Sequence, residues 1–311
     1  MKHQPVLLKE VLDLLAPAPN ENFIDATFGA GGHTLMLLQK IQPNGKVLAI
    51  DASELAVEGA GSQFQNPDFK SRLILAHGNF VELKQIASER GFADVSGVLF
   101  DLGLSTDELD DPSRGFSFQT TGPLDMRFDQ TQKLTVERIL NAETEKNLKN
   151  IFLRFGEEKF SGRIAKAIFN TRRASKLSTT SDLFNIIKSA LPSAVKHKAN
   201  DVARRIFQAL RIAVNRELEN LEIALPQALA ILKPGGRLAV ISFHSLEDRI
   251  VKRFFLKESR GCVCPPEFPE CVCGKNPSIK ILTKKPVMAS EEEVAVNSRA
   301  KPAKLRAAVK L

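Results

Sequence analysis

The sequence predicts an α/β protein: a Rossmann-like, doubly wound parallel sheet interrupted by an inserted all-helical domain. Three observations predict it. Short apolar runs alternate with helical patterns as far as Asp101. The first run passes into a glycine-rich corner, Phe23-Ile24-Asp25-Ala26-Thr27-Phe28-Gly29-Ala30-Gly31-Gly32-His33-Thr34, and the second, Lys46-Val47-Leu48-Ala49-Ile50-Asp51, ends in an acid. From about residue 135 to 216 the pattern is helical throughout, before a strand pattern returns at 237–242.

The elements follow in order. Strand-like runs occupy 22–26, 46–51, 72–77 and 95–101, with helical patterns at 34–39, 54–64 and 81–90 between them. Residues 103–123 read as a loop, because Pro112, Gly115, Gly122 and Pro123 punctuate them. Helices are predicted at 135–140, 144–155, 157–170, 180–191 and from 201 onward. A long helix over 217–232 stops at Lys233-Pro234-Gly235-Gly236, which opens the strand 237–242. A helix near 247–257 follows. Two late β patterns, 280–285 and 304–310, predict an antiparallel edge hairpin joined by a helix near 290–296. The expected domains are therefore 1–105 with 217–311, forming the sheet, and 106–216, forming a helical insertion.

Composition narrows the function. Hydrophobic residues at 43% and charged residues at 26% are ordinary for a soluble globular chain. No apolar run approaches the ~18 residues of a membrane span. Glu10 and Asp13 interrupt the N-terminal apolar segment, which argues against a signal peptide and for a cytoplasmic protein with no membrane partner. The net charge of +8 is unevenly spread. Residues 146–216 hold eight lysines and eight arginines against Glu157, Glu158, Asp182 and Asp201, a net +12 that leaves −4 for the rest. Such a block suggests a polyanion; helices with solvated charged faces are the alternative. The chain has no Trp or Tyr but 20 Phe, so base stacking would fall to Phe or to the guanidinium plane of Arg.

The glycine corner brings backbone N–H groups close to a ligand, and Asp51 is placed to accept bonds from ribose hydroxyls. A dinucleotide fingerprint starting at Gly29 would need its third glycine at position 34, which is Thr34. That counts against a nicotinamide-dependent oxidoreductase. An acid followed by Gly-x-Gly looks instead like the first motif of S-adenosylmethionine-dependent methyltransferases; a plain strand–turn–helix corner is the alternative. Ligands in doubly wound sheets sit at the carboxyl ends of the strands. Four segments converge there: 29–33, Asp51, His77-Gly78-Asn79-Phe80, and Asp101-Leu102-Gly103-Leu104-Ser105. Phe80 reads as one wall of an adenine slot or as ordinary core. Asp101 reads as a catalytic group or as a turn residue. Ser242-Phe243-His244-Ser245-Leu246-Glu247-Asp248-Arg249 follows the next strand, where Ser245 with Glu247 and Asp248 suits a helix start and His244 is either functional or structural. Cys262-x-Cys264 and Cys271-x-Cys273 lie in a proline-rich loop. Four thiolates can make a tetrahedral zinc site, but structural zinc more often uses wider pairs, so the reading leaves them as free thiols and assigns no metal. A cytoplasmic disulfide is not expected.

With these residues in view, the chain resembles the bacterial 16S ribosomal RNA N4-cytosine methyltransferase family (RsmH, formerly MraW) over nearly its whole length. The resemblance rests on His3-x-Pro5-Val6-Leu7-Leu8, the Asp25–His33 string, Asp101-Leu102-Gly103 and Arg114-Gly115-Phe116-Ser117-Phe118. It continues through Gly122-Pro123-Leu124-Asp125-Met126-Arg127, Gly156-Glu157-Glu158, Phe207-Gln208-Ala209 and the Ile241–Arg249 string. It implies S-adenosylmethionine as methyl donor and a cytidine in the decoding centre of the small ribosomal subunit as acceptor, with no role for DNA. Cofactor contacts carried over by motif are Gly31, Gly32, His33, Asp51, Phe80 and Asp101. One more falls just past Asp-Leu-Gly, where the family usually has Gln and this chain has Glu108. Many amino-methyltransferases end strand four in Asp/Asn/Ser-Pro-Pro-Tyr/Phe; here it is Asp101-Leu102-Gly103-Leu104. Asp101 is then expected either to accept a bond from the reacting amine or to bond the cofactor's polar groups, with Phe116 or Phe118 stacking on a base splayed from folded RNA. The insertion would grip phosphates through Arg163, Arg172, Arg173, Lys196, Lys198, Arg204 and Arg205, with His244 as a further RNA candidate.

Overall fold

Four apolar runs, three ending in aspartate and one in histidine, become parallel strands of one sheet. The structure, a computed structural model, describes residues 5–60, 64–262, 264, 268 and 272–311. His3 and Cys271, quoted above, lie outside them. Packing divides the chain into two compact units, Met1–Gly103 with Leu218–Leu311, and Leu104–Glu217. Among the described residues no helix is long and apolar enough to cross a membrane.

The first unit begins with α1 (Leu8–Leu15), β1 (Asn22–Asp25), α2 (Gly32–Lys40), β2 (Val47–Asp51), α3 (Glu54–Gly59), α4 (Pro67–Lys70), β3 (Leu73–His77), α5 (Leu83–Glu89) and β4 (Val95–Asp101). The second unit carries α6 (Thr106–Asp110), α7 (Val136–Ala142), α8 (Glu145–Gly156), α9 (Ser161–Ala174), α10 (Thr180–Ala190) and α11 (Ala199–Asn215). The chain then returns through α12 (Glu217–Ile231), β5 (Leu232–Ser242), α13 (Ser245–Ser259), β6 (Ile279–Ile281), α14 (Glu291–Val296) and β7 (Lys304–Lys310).

Among the described residues the strands form one seven-stranded sheet in the order β3-β2-β1-β4-β5-β7-β6. β1 to β5 are parallel, and β7 runs antiparallel between β5 and β6. β2 and β4 are buried along almost their whole length. Strands covered on both faces lose the usual alternation, which is why they read as continuous apolar runs. One face packs Ile24, Leu48, Phe100, Leu221, Leu225 and Phe255 together. The other packs Val11, Phe23, Leu37, Leu38, Val47 and Leu99. The winding direction reverses between β1 and β4, so a crevice opens at their carboxyl ends. Arg306 on β7 donates to both carboxylate oxygens of Asp248, at 2.6 and 3.3 Å, and pins the first turn of α13.

Several boundaries differ from the sequence reading. α1 was not anticipated; it buries Val11 and Leu15 and leaves Glu10 and Asp13 off the core. The stretch 103–123, expected as loop, contains α6 and a 3-10 turn at Pro112–Arg114. The helix expected from 157 starts at Ser161, because Glu157 takes a left-handed φ of 48° and ends α8 instead. β5 starts at Leu232 rather than 237. Leu232 pairs with Val95 and Arg237 with Gly97, so the Pro-Gly-Gly stretch bulges out of the ladder without ending the strand.

The second unit has its own core. Leu148 and Phe152 of α8 meet Ile164 and Ile168 of α9, Leu183 and Ile187 of α10, and Ile206 and Leu210 of α11. Thr135, Thr144 and Thr179 each cap a helix by accepting a backbone N–H with the side-chain oxygen. Phe152 is fully buried at the centre. Phe152→Ala is expected to destabilise this unit by about 3–5 kcal/mol, read from the midpoint of urea denaturation followed by circular dichroism at a helical wavelength.

Candidate active site

The loop 26–31 after β1 is held by three strand ends. Asp25, closing β1, is 1% exposed. The Thr34 hydroxyl donates to its Oδ2 at 2.7 Å and the Thr27 N–H to its Oδ1 at 3.2 Å. Thr34, which breaks the dinucleotide fingerprint, therefore locks α2 to β1. Asp51, closing β2, accepts the Gly29 N–H on Oδ2 at 2.7 Å and the Ser53 N–H on Oδ1 at 2.8 Å. Asp101, closing β4, donates its own N–H to the Thr27 hydroxyl at 2.6 Å. Gly31 sits at φ 76°, and a Cβ there would lie 2.8 Å from the rings of Phe28 and Phe64. Only glycine satisfies both limits.

The three acids differ electrostatically. Burial pushes the Asp25 carboxyl from 3.8 up to about 7; its two hydrogen bonds oppose this and the nearby Asp51 charge adds to it. Burial also drives Asp101 well above the ordinary carboxylate range, helped by the charges of Asp25 and Glu247. The Asp101 Oδ2 lies 3.5 Å from His33 Nδ1. The His33 Nε2 lies 3.0 Å from the Val6 carbonyl, an acceptor that places a proton on Nε2. Its Nδ1 is the ring atom that faces Asp101. The Asp101 Oδ1 is buried with no hydrogen-bond partner among the described residues, and so is the hydroxyl of Ser242 at the end of β5. Buried polar atoms are usually hydrogen-bonded, so both atoms are free to take a further partner.

Phe80 follows β3. Asn79 caps the 3-10 turn that it opens, and its ring stands edge-on to Phe100 with centroids 5.6 Å apart, half-buried against the sheet core. His244 is the N-cap of α13: its Nδ1 accepts the Glu247 N–H at 3.4 Å, while the Glu247 carboxylate accepts the N–H groups of Phe243 and His244 at 2.8 and 3.2 Å. His244 and Glu247 thus close a capping box at the start of α13.

In the second unit, Glu108 accepts the Ser105 N–H and hydroxyl on Oε2 at 3.2 and 3.0 Å, and its Oε1 lies 3.5 Å from the buried Arg114. The charge that Glu brings in place of Gln is thus met by a guanidinium. Phe116 is buried in the core against Phe128. Phe118 lies parallel to Phe184 and edge-on to Phe207, centroids 5.4 Å apart in each case. Phe116 is thus part of the unit's core, while Phe118 stays half-buried at its edge. Among the arginines, Arg172 donates to the Leu140 carbonyl at 2.7 Å and Arg205 pairs with the buried Glu158. Both serve the unit's own packing. Arg163, Arg173, Lys196, Lys198 and Arg204 are exposed; Arg204 pairs with Asp201, Arg163 bonds the Ala190 carbonyl, and Arg173 lies over the Phe169 ring.

The sequence reading missed Thr27, Thr34, Ser242 and Glu247. Only Glu247 had a local signal, its place three residues after the cap. The others depend on contacts between strand ends.

A family model described as the MraW methylase family matches residues 1–311. Ribosomal RNA small subunit methyltransferase H of Heliobacterium modesticaldum is 46% identical over 310 residues, covering 99% of this chain and 98% of the relative. Its namesake in Thermomicrobium roseum is 47% identical over 309 residues, covering 99% and 94%. That of Halothermothrix orenii is 46% identical over 308 residues, covering 99% and 98%.

Asp25 holds a proton in the folded chain up to about pH 7 that the unfolded chain releases near its ordinary 3.8. Between those values the folded state binds more protons, so stability falls as pH rises, at about 1 kcal/mol per pH unit. Asp25→Asn keeps an acceptor for the Thr27 N–H and reverses the other bond, its amide N–H donating to the Thr34 hydroxyl. It is expected to flatten this decline, measured as the urea midpoint in a series of buffers from pH 4 to 7.5.

Proposed function

The chain belongs to the MraW methylase family, and on that premise we propose that it transfers a methyl group from S-adenosylmethionine to N4 of a cytidine in the decoding centre of 16S ribosomal RNA. The small ribosomal subunit is the proposed partner and the cytoplasm the proposed site of action. The observation that carries the reading is the half-buried Asp101 carboxyl at the reversal between β1 and β4, with its Oδ1 buried and unpartnered among the described residues and a second acid, Asp25, beside it. Acids held this far above their ordinary range fit a ligand that arrives with positive charge. S-adenosylmethionine carries an ammonium and a sulfonium, and when bound it supplies an electrophilic methyl whose leaving group is a neutral thioether.

The chain's own residues do the rest. Gly31 and Gly32 let the loop backbone approach the cofactor, Asp51 accepts from ribose hydroxyls, and Phe80 walls the adenine. His33 sets the hydrogen bonding of Asp101, and Glu108 is a further contact. The difficulty of the reaction lies in the nucleophile, because the N4 lone pair is delocalised into the cytosine ring. A high-pKa carboxylate that accepts an N4–H bond draws the nitrogen toward tetrahedral geometry and stabilises its developing charge. Asp101 is our candidate for that acceptor. Holding N4 in line with the methyl contributes several kcal/mol more.

The second unit supplies the RNA grip in this reading. The exposed cations Arg163, Arg173, Lys196, Lys198 and Arg204 meet phosphates, while Arg172 and Arg205 maintain the packing beneath.

Labelled-methyl transfer to small subunits from cells lacking this protein, followed by nucleoside mass spectrometry, tests the activity; N4-methylated cytidine is the expected product. Asp101→Ala is expected to lower kcat by about 10²–10⁴. Calorimetry of cofactor binding separates the two roles: retained affinity assigns Asp101 to the amine, and lost affinity assigns it to the cofactor. Replacing Lys196 and Lys198 together by Ala is expected to weaken RNA binding and to reduce the slope of log K against log salt by roughly 1 to 1.5. Filter binding across a salt series measures that slope.

A further inference from the structure

The connection between α13 and β6 carries three cysteines that the reaction does not use. Cys262, Cys264 and Cys273 place their Sγ atoms within 4.8 Å of one another. The Cys262 and Cys273 sulfurs are 3.8 Å apart. A tetrahedral ion with metal–sulfur bonds of about 2.3 Å separates its sulfurs by about 3.8 Å. A disulfide would need about 2.05 Å. The Cys264 N–H donates to the Cys262 Sγ at 3.4 Å, a bond that orients the sulfur. Gly274, directly after Cys273, takes a φ of 59° with nothing near its missing Cβ. The chain reverses there and brings Cys273 back over the first pair.

We propose that Cys262, Cys264 and Cys273 form a thiolate site for one zinc-class divalent ion that clips this loop. The spacing of the Cys-x-Cys pairs left metal and free thiols as alternatives; the distances favour the metal. Three thiolates and a divalent ion leave one negative charge, and Arg260 and Lys275 flank the cysteines in the sequence. The clip has a physical use. Residues 260–278 form a long connection whose described part carries no helix or strand. Its base is closed where the Ser278 N–H donates to the Glu258 carbonyl at 2.9 Å and the Ser278 hydroxyl to the Glu258 carboxylate at 2.8 Å. Loops of this length inside a domain are ordered by a function or by a cross-link.

The test uses the full chain purified under reductant without chelator. Elemental analysis is expected to find about one zinc per chain. Exchange with cobalt(II) is expected to give thiolate charge-transfer absorption and the d–d bands of a tetrahedral site. Cys264→Ser and Cys273→Ser should each lower bound metal by at least about tenfold. Each should also speed proteolytic cutting within 260–278, with the far-ultraviolet circular dichroism unchanged. Wild-type protein that neither retains zinc nor takes up one equivalent of cobalt overturns the proposal. So do serine variants that keep the wild-type metal content, or an oxidised Cys262–Cys273 pair under reductant.

Discussion

Everything at the carboxyl edge of the sheet depends on one short chain of hydrogen bonds. Thr34 donates to Asp25, the Thr27 backbone donates to Asp25, and Asp101 donates to the Thr27 hydroxyl. These bonds cross the point where the winding of the sheet reverses and tie α2, β1 and β4 together. The Gly29 N–H to Asp51 bond adds β2. The glycine corner is thus a rigid piece of the sheet rather than a flap. A binding loop held this way loses little conformational entropy when it meets a ligand.

The same chain sets the electrostatics. Burial accounts for most of the rise in proton affinity of Asp25 and Asp101; the Asp51 charge adds to the first, and the Asp25 and Glu247 charges add to the second. Neutral carboxyls cost far less to bury than a pair of carboxylates. The helical unit has the opposite character. Its sixteen cations between residues 146 and 216 divide by burial. Arg172 and Arg205 spend their donors on a carbonyl and a buried glutamate, whereas Lys196 and Lys198 stand in solvent.

Small departures from family pattern are absorbed locally. Glu108, where Gln is usual, finds Arg114 for its charge and the Ser105 hydroxyl and N–H for its second oxygen. Phe116 and Phe118 sit in a string whose aromatic content suggests base stacking, and in the folded chain they pack against Phe128, Phe184 and Phe207. In a chain without Trp or Tyr, phenylalanine must fill cores as well as any binding surface, so its presence in a motif is weak evidence for contact.

The alternation of strands and helices, the glycine corner, the acids that end β1, β2 and β4, and the all-helical stretch were legible from residue order. Periodicity and turn chemistry act over a few residues, so they survive in a linear reading. The edge pairing of β6 with β7 was legible for the same reason. The start of α9 and the reach of β5 were not, because a left-handed Glu157 and a bulge opposite Val95 and Gly97 are decided by packing partners far along the chain. The roles of Thr27 and Thr34 and the orphaned oxygen of Asp101 belong to the tertiary structure alone. Each arises where strand ends distant in sequence converge, and no local pattern records which polar atoms that convergence buries.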